Sequence, residues 1–136
     1  MAVVKELLRS ESDGSISFGD YTLSQKSKVE DYEHAGDLLK VKTFNEITRL
    51  EKNGMFLYES VPGTAVLNFK ETADGISFVV EGDEDAQITV GLAEDTEYRI
   101  KVGGESAGTI KTNLGGKLVL SVELAGEGEV EVEITK

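Results

Sequence analysis

The chain has 136 residues and 39 % hydrophobic residues, which suits a single domain with its own core. It has no cysteine, so disulfides, thiolate metal sites and cysteine nucleophiles are excluded. The net charge is −12, and residues 69–136 carry most of it, with 15 acids against 6 bases. A field of this sign repels phosphate backbones and anionic lipid, so we expect neither nucleic acid nor a membrane as partner.

The start of the chain does not have the pattern of a signal peptide. Lys5 and Glu6 interrupt the apolar run that such a peptide needs. No stretch approaches the roughly 18 consecutive apolar residues of a transmembrane helix. From the chain as given we therefore expect a cytoplasmic location.

The N-terminal part shows short alternating segments. Residues 3–9 fit either an edge strand or one amphipathic helical turn, and the pattern does not separate the two. After a Ser-Asp-Gly turn, residues 16–18 have the composition of a strand. Residues 37–43 alternate, with Leu39 and Val41 on one face, and are predicted to form a strand.

The segment 43–54 has two interpretations. Thr43 followed by Glu46 resembles a capping box that opens a short helix ending at Gly54. Alternatively, residues 47–52 and 55–60 form a hairpin around Asn53-Gly54, a strong hairpin signal. We favour the hairpin because the rest of the chain has the pattern of β-structure.

The favoured hairpin implies a register and a packing requirement. It places Leu50 opposite Leu57 and Arg49 opposite Tyr58, which are reasonable cross-strand pairs. Its second strand begins with four apolar residues, 55–58, which are predicted to need cover on both faces. This requirement is one reason to expect an assembly partner.

Period-two alternation dominates the C-terminal half. Apolar residues occupy even positions near the C-terminus, while Glu129, Glu131 and Glu133 occupy odd positions and are predicted to face solvent. Gly, Asp or Asn turns separate the segments, which recur about every ten residues, as in sandwiches and barrels. The predicted strands lie around residues 76–80, 86–92, 98–102, 109–111, 117–124 and 130–134.

These patterns predict an all-β protein, an antiparallel β-sandwich of jelly-roll or Ig-like type with about ten strands. Residues 1–136 form one domain, in which segments 1–62 and 63–136 are possible halves sharing one core. The predicted core comprises Ile76, Phe78, Val80, Ile88, Val90, Tyr98, Ile100, Leu118, Leu120, Val122, Val130, Val132 and Ile134.

The glutamate row near the C-terminus bears on self-association. If its strand lies at a sheet edge, the charges discourage pairing with a neighbouring chain. A homo-oligomer would then form through the less acidic N-terminal half.

The only histidine, His34, lies among carboxylates in the segment 30–37. Such a residue is a candidate proton shuttle or metal ligand, but no second histidine and no cysteine exist to join it. We interpret His34 as a solvated residue at a strand end or in a loop. The sequence therefore assigns no catalytic residue, no metal site and no cofactor.

Residues 81–97 contain seven acids and no base, which raises the possibility of calcium binding. Glu81, Asp83 and Asp85 alternate as oxygen donors would, but the segment lacks the spacing of an EF-hand. A calcium-stabilised structural module remains an alternative.

Carbohydrate binding usually needs an exposed aromatic face, and this chain has no tryptophan. Tyr21, Tyr32, Tyr58 and Tyr98 are the tyrosines available. Tyr58 and Tyr98 are predicted to be core residues, and Tyr32 is expected to be the most exposed.

Segments 42–54, 58–64 and 111–118 resemble a family of small proteins from anaerobic Firmicutes that often carry the name endosialidase. That name implies a glycan hydrolase, and sialidases use an arginine cluster with a Tyr/Glu pair and a further acid. The arginines here are Arg9, Arg49 and Arg99, and no matching motif assigns them a catalytic role. Residues 97–122 are also similar to accessory β-sandwich modules of polysaccharide-active enzymes, which are mostly structural or weakly binding.

The leading functional hypothesis is a non-catalytic binding or assembly module. Its expected partners are a second copy of the chain and a glycan or protein ligand. The alternatives are a sialidase-like glycan hydrolase, which rests on the resemblance alone, and the calcium-stabilised module.

Overall fold

The computed structural model describes residues 3–136, which form two antiparallel β-sheets and no helix. The predicted all-β sandwich is confirmed, although it has thirteen strands where about ten were expected. No helix in the described part is therefore available to cross a membrane. The strands are β1 (Leu8–Ser10), β2 (Ile16–Phe18), β3 (Ser27–His34), β4 (Asp37–Thr43), β5 (Thr48–Lys52), β6 (Met55–Val61), β7 (Ala65–Thr72), β8 (Gly75–Glu81), β9 (Ala86–Gly91), β10 (Glu97–Val102), β11 (Glu105–Lys111), β12 (Lys117–Val122) and β13 (Val130–Thr135).

One sheet has seven strands in the order β1-β2-β7-β8-β13-β10-β11, and the other has six in the order β3-β4-β5-β6-β9-β12. Because every neighbouring pair is antiparallel, successive strands run in opposite directions. The loops that follow odd-numbered strands therefore share one end of the sandwich, here named the hairpin end. The loops that follow even-numbered strands share the other end, the crossover end.

A single hydrophobic cluster fills the space between the sheets, and it draws on strands from β1 to β13. Four rings lie at its centre: Phe18 and Tyr58 have ring centroids 5.3 Å apart, and Phe69 stacks on Phe78 at 5.6 Å. The predicted core residues are buried, except that Val130 is half-buried and packs against the cluster.

The Asn53-Gly54 hairpin is confirmed, and the helix is not formed. Both turn residues have positive φ, 53° and 77°, as the tight turn requires. The predicted register is wrong by one residue, because Leu50 lies opposite Tyr58 and Arg49 opposite Glu59. A β-bulge adds Leu57 to the second strand, so that Leu57 and Tyr58 are both buried.

This bulge also changes which apolar residues of β6 are buried. Met55, at the start of the apolar run, is 73 % exposed, and Phe56 is half-buried. The expectation that the whole run is covered on both faces is therefore wrong for its first two residues. The exposed pair lies at the hairpin end of the six-stranded sheet.

The two most regular segments, β12 and β13, belong to different sheets. Glu129, Glu131 and Glu133 are exposed as predicted. However, β13 pairs with β8 on one side and β10 on the other, so it is an interior strand. The glutamate row therefore does not protect a sheet edge.

The N-terminal part contains one strand that the sequence did not predict. β3 carries four charged residues in its middle, from Lys28 to Glu33, and its ladder with β4 is broken by a bulge between Val29 and Tyr32. Of residues 3–9, only Leu8 and Arg9 belong to a strand, the short β1 at the edge of the seven-stranded sheet.

A buried hydroxyl network joins strands and loops near the crossover end. The Thr48 hydroxyl accepts a hydrogen bond from the Thr64 amide (3.0 Å) and donates to the Thr64 carbonyl (2.8 Å). Since that hydroxyl has only one hydrogen, the Thr43 hydroxyl is the donor in their 2.9 Å contact. The Thr64 hydroxyl in turn contacts the Tyr58 and Ser60 hydroxyls, each at 2.8 Å.

Candidate functional site

The charge of the protein is concentrated in its loops. Residues 3–7 and the loops between strands hold fourteen acids and two bases, whereas the strands and Lys136 hold twelve of each. Nearly all of the net charge of −12 is thus located at the two ends of the sandwich, because Lys136 follows β13 and the strands alone have a net charge of −1. Charge therefore does not oppose contacts made through the faces or lateral edges of the sheets.

One lateral side of the sandwich is closed by hydrogen bonds between β1 and β3. The Ser10 amide donates to the Tyr32 hydroxyl (3.0 Å), and the Ser10 hydroxyl contacts the same atom at 3.1 Å. His34 Nδ1 lies 2.8 Å from the Ser10 hydroxyl, and His34 Nε2 lies 3.0 Å from the Gly14 carbonyl. We name Ser10, Tyr32, His34 and Gly14 the lateral clasp.

The clasp accounts for the only histidine. A carbonyl oxygen only accepts, so His34 Nε2 carries a hydrogen and donates it to Gly14. Both ring nitrogens are thus engaged in contacts that join the two sheets. His34 lies at a strand end as predicted, but it is half-buried and bonded instead of solvated. Its geometry supports a structural role.

A cleft of about 240 Å³ opens beside the clasp, with core residues such as Leu39 and Phe69 on its floor. The polar groups on its rim bond to one another. Lys52 lies 2.8 Å from Glu71, and this hydrogen bond raises the pKa of Lys52. The Asn53 amide donates to Asp37 at 2.9 Å. Lys52, Glu71 and Asp37 on the rim are therefore already paired and do not point to a ligand.

The acidic segment 81–97 has structural contacts in place of a metal site. Asp85 accepts hydrogen bonds from the amides of Leu124 (3.0 Å) and Ala125 (3.1 Å), which secures the loop after β12. Across residues 3–136, no three acidic or histidine side chains come together as metal ligands would. The calcium hypothesis gains no support from this arrangement.

Among the described residues, Tyr21 and Glu81 form a Tyr–Glu pair that bears on hydrolase chemistry. The Tyr21 hydroxyl donates to Glu81 at 3.4 Å, and Tyr21 is buried. Burial, then the charges of Glu81 and Asp83, raise the pKa of Tyr21 to about 12. A tyrosine nucleophile needs the opposite influence, so this pair does not support catalysis.

The three arginines do not form a carboxylate-binding cluster. Arg9 lies in β1, Arg49 in β5 and Arg99 in β10, so the latter two belong to opposite sheets. Arg9 binds Glu11 at 2.9 Å, and Arg49 lies within 3.6 Å of Glu59. Their positions give no support to a sialidase site.

The tyrosines do not offer a flat platform for a sugar ring. Tyr21, Tyr58 and Tyr98 are buried, as the sequence predicted for Tyr58 and Tyr98. Tyr32 is half-buried, and its hydroxyl is part of the lateral clasp. This arrangement disfavours a glycan as the ligand of an aromatic surface.

An apolar concave surface lies at the hairpin end of the six-stranded sheet, and sequence analysis did not identify it. It is a groove of about 300 Å³, here named the hairpin groove. Met55 is 73 % exposed at its rim, and Leu114, next to the lining residue Gly115, is 80 % exposed. The lining residues are Lys52, Asn53, Met55, Phe56, Leu57, Gly91, Leu92, Gly115 and Lys117.

The groove is lined by two cationic residues, Lys52 and Lys117, and by no acidic one, in a protein with a net charge of −12. Lys52 is paired with Glu71, so Lys117 is the cation available in the groove. The Lys117 ammonium lies 4.7 Å from the centre of the Phe56 ring, and the Arg49 guanidinium lies 5.5 Å from it. These cations hold Phe56 against the sheet. Gly91 is needed beneath this segment, since a Cβ there would lie 2.6 Å from the Phe56 carbonyl oxygen.

Comparison with known proteins gives no relative from which a function could be inferred. No protein family, curated protein or solved structure matches this chain.

Proposed function

We propose that this protein is a non-catalytic binding module, and that the hairpin groove docks a segment of another polypeptide. The observation that carries the proposal is the exposure of Met55 (73 %) and Leu114 (80 %) beside an apolar groove. Exposed apolar side chains that flank an apolar groove are typical of interaction sites on soluble proteins. The engagement of His34 in the lateral clasp favours binding over acid–base catalysis.

The groove favours a particular ligand chemistry. Met55, Phe56 and Leu92 provide apolar contact, while Lys117 provides positive charge at the rim. Lys52 also lines the groove, but its charge is already paired with Glu71. A peptide segment with a large apolar side chain next to Asp or Glu complements both features. We prefer a polypeptide to a glycan because the Phe56 ring is already in contact with cations.

Selection of peptides from a random display library on the folded protein tests this function. We expect the selected peptides to combine Leu, Phe or Trp with neighbouring acids. Met55→Asp and Leu114→Asp should each weaken their binding by about tenfold or more, because each places a charge in an apolar contact.

Val61→Asp is the matched control, since Val61 is a 53 % exposed apolar residue at the other end of β6. Its affinity for the selected peptides should equal that of the wild type. Failure to select any peptide, or peptides that bind Met55→Asp and Leu114→Asp as tightly as the wild type, would refute the proposed function.

A further inference from the structure

The two sheets have four edge strands, and three of them have features that discourage pairing. β1 is only three residues long. β3 carries charges from Lys28 to Glu33 and a bulge. β11 has a bulge opposite β10, and its Gly108 has φ 94°, which interrupts a regular ladder. Short length, charge and bulges are the usual protections of a free edge.

The fourth edge strand, β12, is longer and has no bulge, and its only charged residue is Lys117 at its start. Its residues 117–122 pair with β9 in unbroken register, without a bulge. Between Lys117 and Glu123 it contains no charged residue. Val119, in the middle of its solvent face, is 44 % exposed. A regular edge that is uncharged after its first residue is suited to pairing with another strand.

The backbone of β12 presents hydrogen-bonding groups at its free side. The Leu92 amide donates to the Gly116 carbonyl (2.7 Å). The backbone amides and carbonyls of the even-numbered residues of this segment therefore point towards β9. The backbone groups of Lys117 point away from β9, and its amide and carbonyl form hydrogen bonds with Asn113 instead. The amides and carbonyls of Val119 and Ser121 therefore point to the free edge, where no described residue is paired with β12.

We propose that β12 pairs antiparallel with β12 of a second copy, about a two-fold axis at Leu120. This pairing joins two six-stranded sheets into one continuous sheet. It rests on the strand edge alone and does not depend on the function proposed for the hairpin groove.

Charge and backbone geometry select this register. With the axis at Leu120, Val119 lies opposite the partner's Ser121, and the outward-facing amides and carbonyls of both residues bond across the interface. Lys117 lies opposite the partner's Glu123, and the two-fold axis repeats this pair, so the interface contains two pairs of opposite charges. On the inner face, Leu118 continues the core against the partner's Val122.

Other registers fit less well. A shift by one residue places the core face of one strand beside the solvent face of the other. An axis at Val119 needs the backbone of Lys117, which is already bonded to Asn113, and it leaves Glu123 outside the pairing. The axis at Leu120 keeps the core faces of both strands on the same side. Its backbone hydrogen bonds use Val119 and Ser121 and do not need Lys117.

Light scattering after size-exclusion chromatography, over a range of protein concentration, tests the pairing. We expect the mass to rise from 14.7 kDa towards twice that value. Val119→Pro removes an amide that the monomer does not use in its own sheet, so it should weaken dimerisation by about tenfold or more while the monomer stays folded. Val119→Thr keeps this amide and is the matched control.

A charge exchange tests the register. Glu123→Lys should weaken dimerisation, because it faces the partner's Lys117, and Lys117→Glu should do the same. The double variant restores opposite charges across the axis and should recover the wild-type dimer. Within one chain the two residues are roughly 20 Å apart along the strand, so recovery requires contact between copies.

The outcomes separate clearly. A protein that stays at 14.7 kDa at every concentration overturns the proposal. So does a dimer that Val119→Pro leaves intact, because its interface would then lie elsewhere. A dimer that Val119→Pro disrupts, but that the charge exchange does not restore, contradicts the register with its axis at Leu120.

Discussion

His34 Nδ1 lies 2.8 Å from the Ser10 hydroxyl, so the only histidine of the chain joins the edge strands of two different sheets. The second ring nitrogen bonds to the Gly14 carbonyl, in the loop after β1. The opposite lateral side, formed by β11 and β12, has no comparable clasp in the described chain. The sandwich thus has one lateral side closed by side chains and one whose strand edges are available.

Loss of the clasp should loosen β1. His34→Ala removes two hydrogen bonds at a half-buried position, and we expect it to lower the free energy of unfolding by about 1–2 kcal/mol. Urea denaturation measures this change. Hydrogen exchange should show faster exchange of the Ser10 amide, since its Tyr32 partner would lose support. Glu33→Ala, an exposed neighbour on β3, is the control and should change stability by less than about 0.5 kcal/mol.

Local pattern was sufficient to predict the strand faces but not the partners of each strand. Leu118 and Val132 are buried and Glu131 is exposed, as the period of two requires. Assignment of β12 and β13 to opposite sheets depends on how the loop 123–129 crosses the sandwich, which alternation does not encode. The position of an edge is a property of the assembled sheet, and this is why alternation could not show that the exposed glutamate row lies on an interior strand.

The hydroxyl network near the crossover end should be sensitive to loss of one member. Thr48→Val keeps the shape of the side chain but leaves the buried Thr64 amide unpaired and the Thr43 hydroxyl hydrogen without an acceptor. We expect a loss of roughly 2–3 kcal/mol in the free energy of unfolding. Thr48→Ser keeps the hydroxyl and should cost less than Thr48→Val. A larger loss in Thr48→Ser than in Thr48→Val would show that packing of the methyl group, and not the network, is responsible.

Gly19 should not tolerate a side chain. It has φ 98°, and a Cβ there would collide with the Thr64 carbonyl oxygen. Gly19→Ala should therefore lower the thermal midpoint, because both the backbone strain and the collision oppose it. Gly36→Ala is the control: Gly36 also has positive φ, 84°, but a Cβ there meets nothing within 4 Å. A similar loss in both variants would assign the effect to φ alone.

The candidate sites illustrate a second limit of sequence pattern. Met55 and Gly115 line one groove although sixty residues separate them, and the apolar run in β6 was the only available signal. That signal was partly hidden because the bulge at Leu57 reverses which residues are buried. Likewise, the contact between Ser10 and His34 joins two strands that were predicted only weakly or not at all.

Tyr21 should make the protein sensitive to alkali. Burial raises its pKa from 10.0 in an unfolded chain to about 12 in the fold. A group with a raised pKa stabilises fully below the unfolded value, and its contribution is lost as the pH rises through the folded value. Between pH 10 and 12 the wild type should lose up to roughly 2 kcal/mol relative to Tyr21→Phe. Urea denaturation of both proteins across this range measures the difference, and parallel pH profiles would contradict it.

The contribution of Glu11 to stability should depend on pH in the opposite direction to that of Tyr21, because it is lost as the pH falls. A hydrogen bond from the Ser17 hydroxyl, with further help from Arg9, lowers the pKa of Glu11 below its ordinary value of 4.5. A lowered pKa stabilises the fold above the unfolded value, and this contribution is lost as the pH falls through the folded value. Glu11→Gln should therefore be less stable than the wild type at neutral pH, and the difference should shrink well below pH 4.5.

Glu6→Gln is the control for Glu11, because Glu6 reaches Arg9 only at 3.6 Å and is 57 % exposed. Exposed ion pairs of this kind contribute about 0–1 kcal/mol, so this variant should change little at any pH. Ser17→Ala completes the test, since it removes the largest cause of the lowered pKa. Like Glu11→Gln, it should make the free energy of unfolding less dependent on pH in the acid range. A wild-type pH profile for Ser17→Ala would show that Arg9 alone is sufficient to lower the pKa of Glu11.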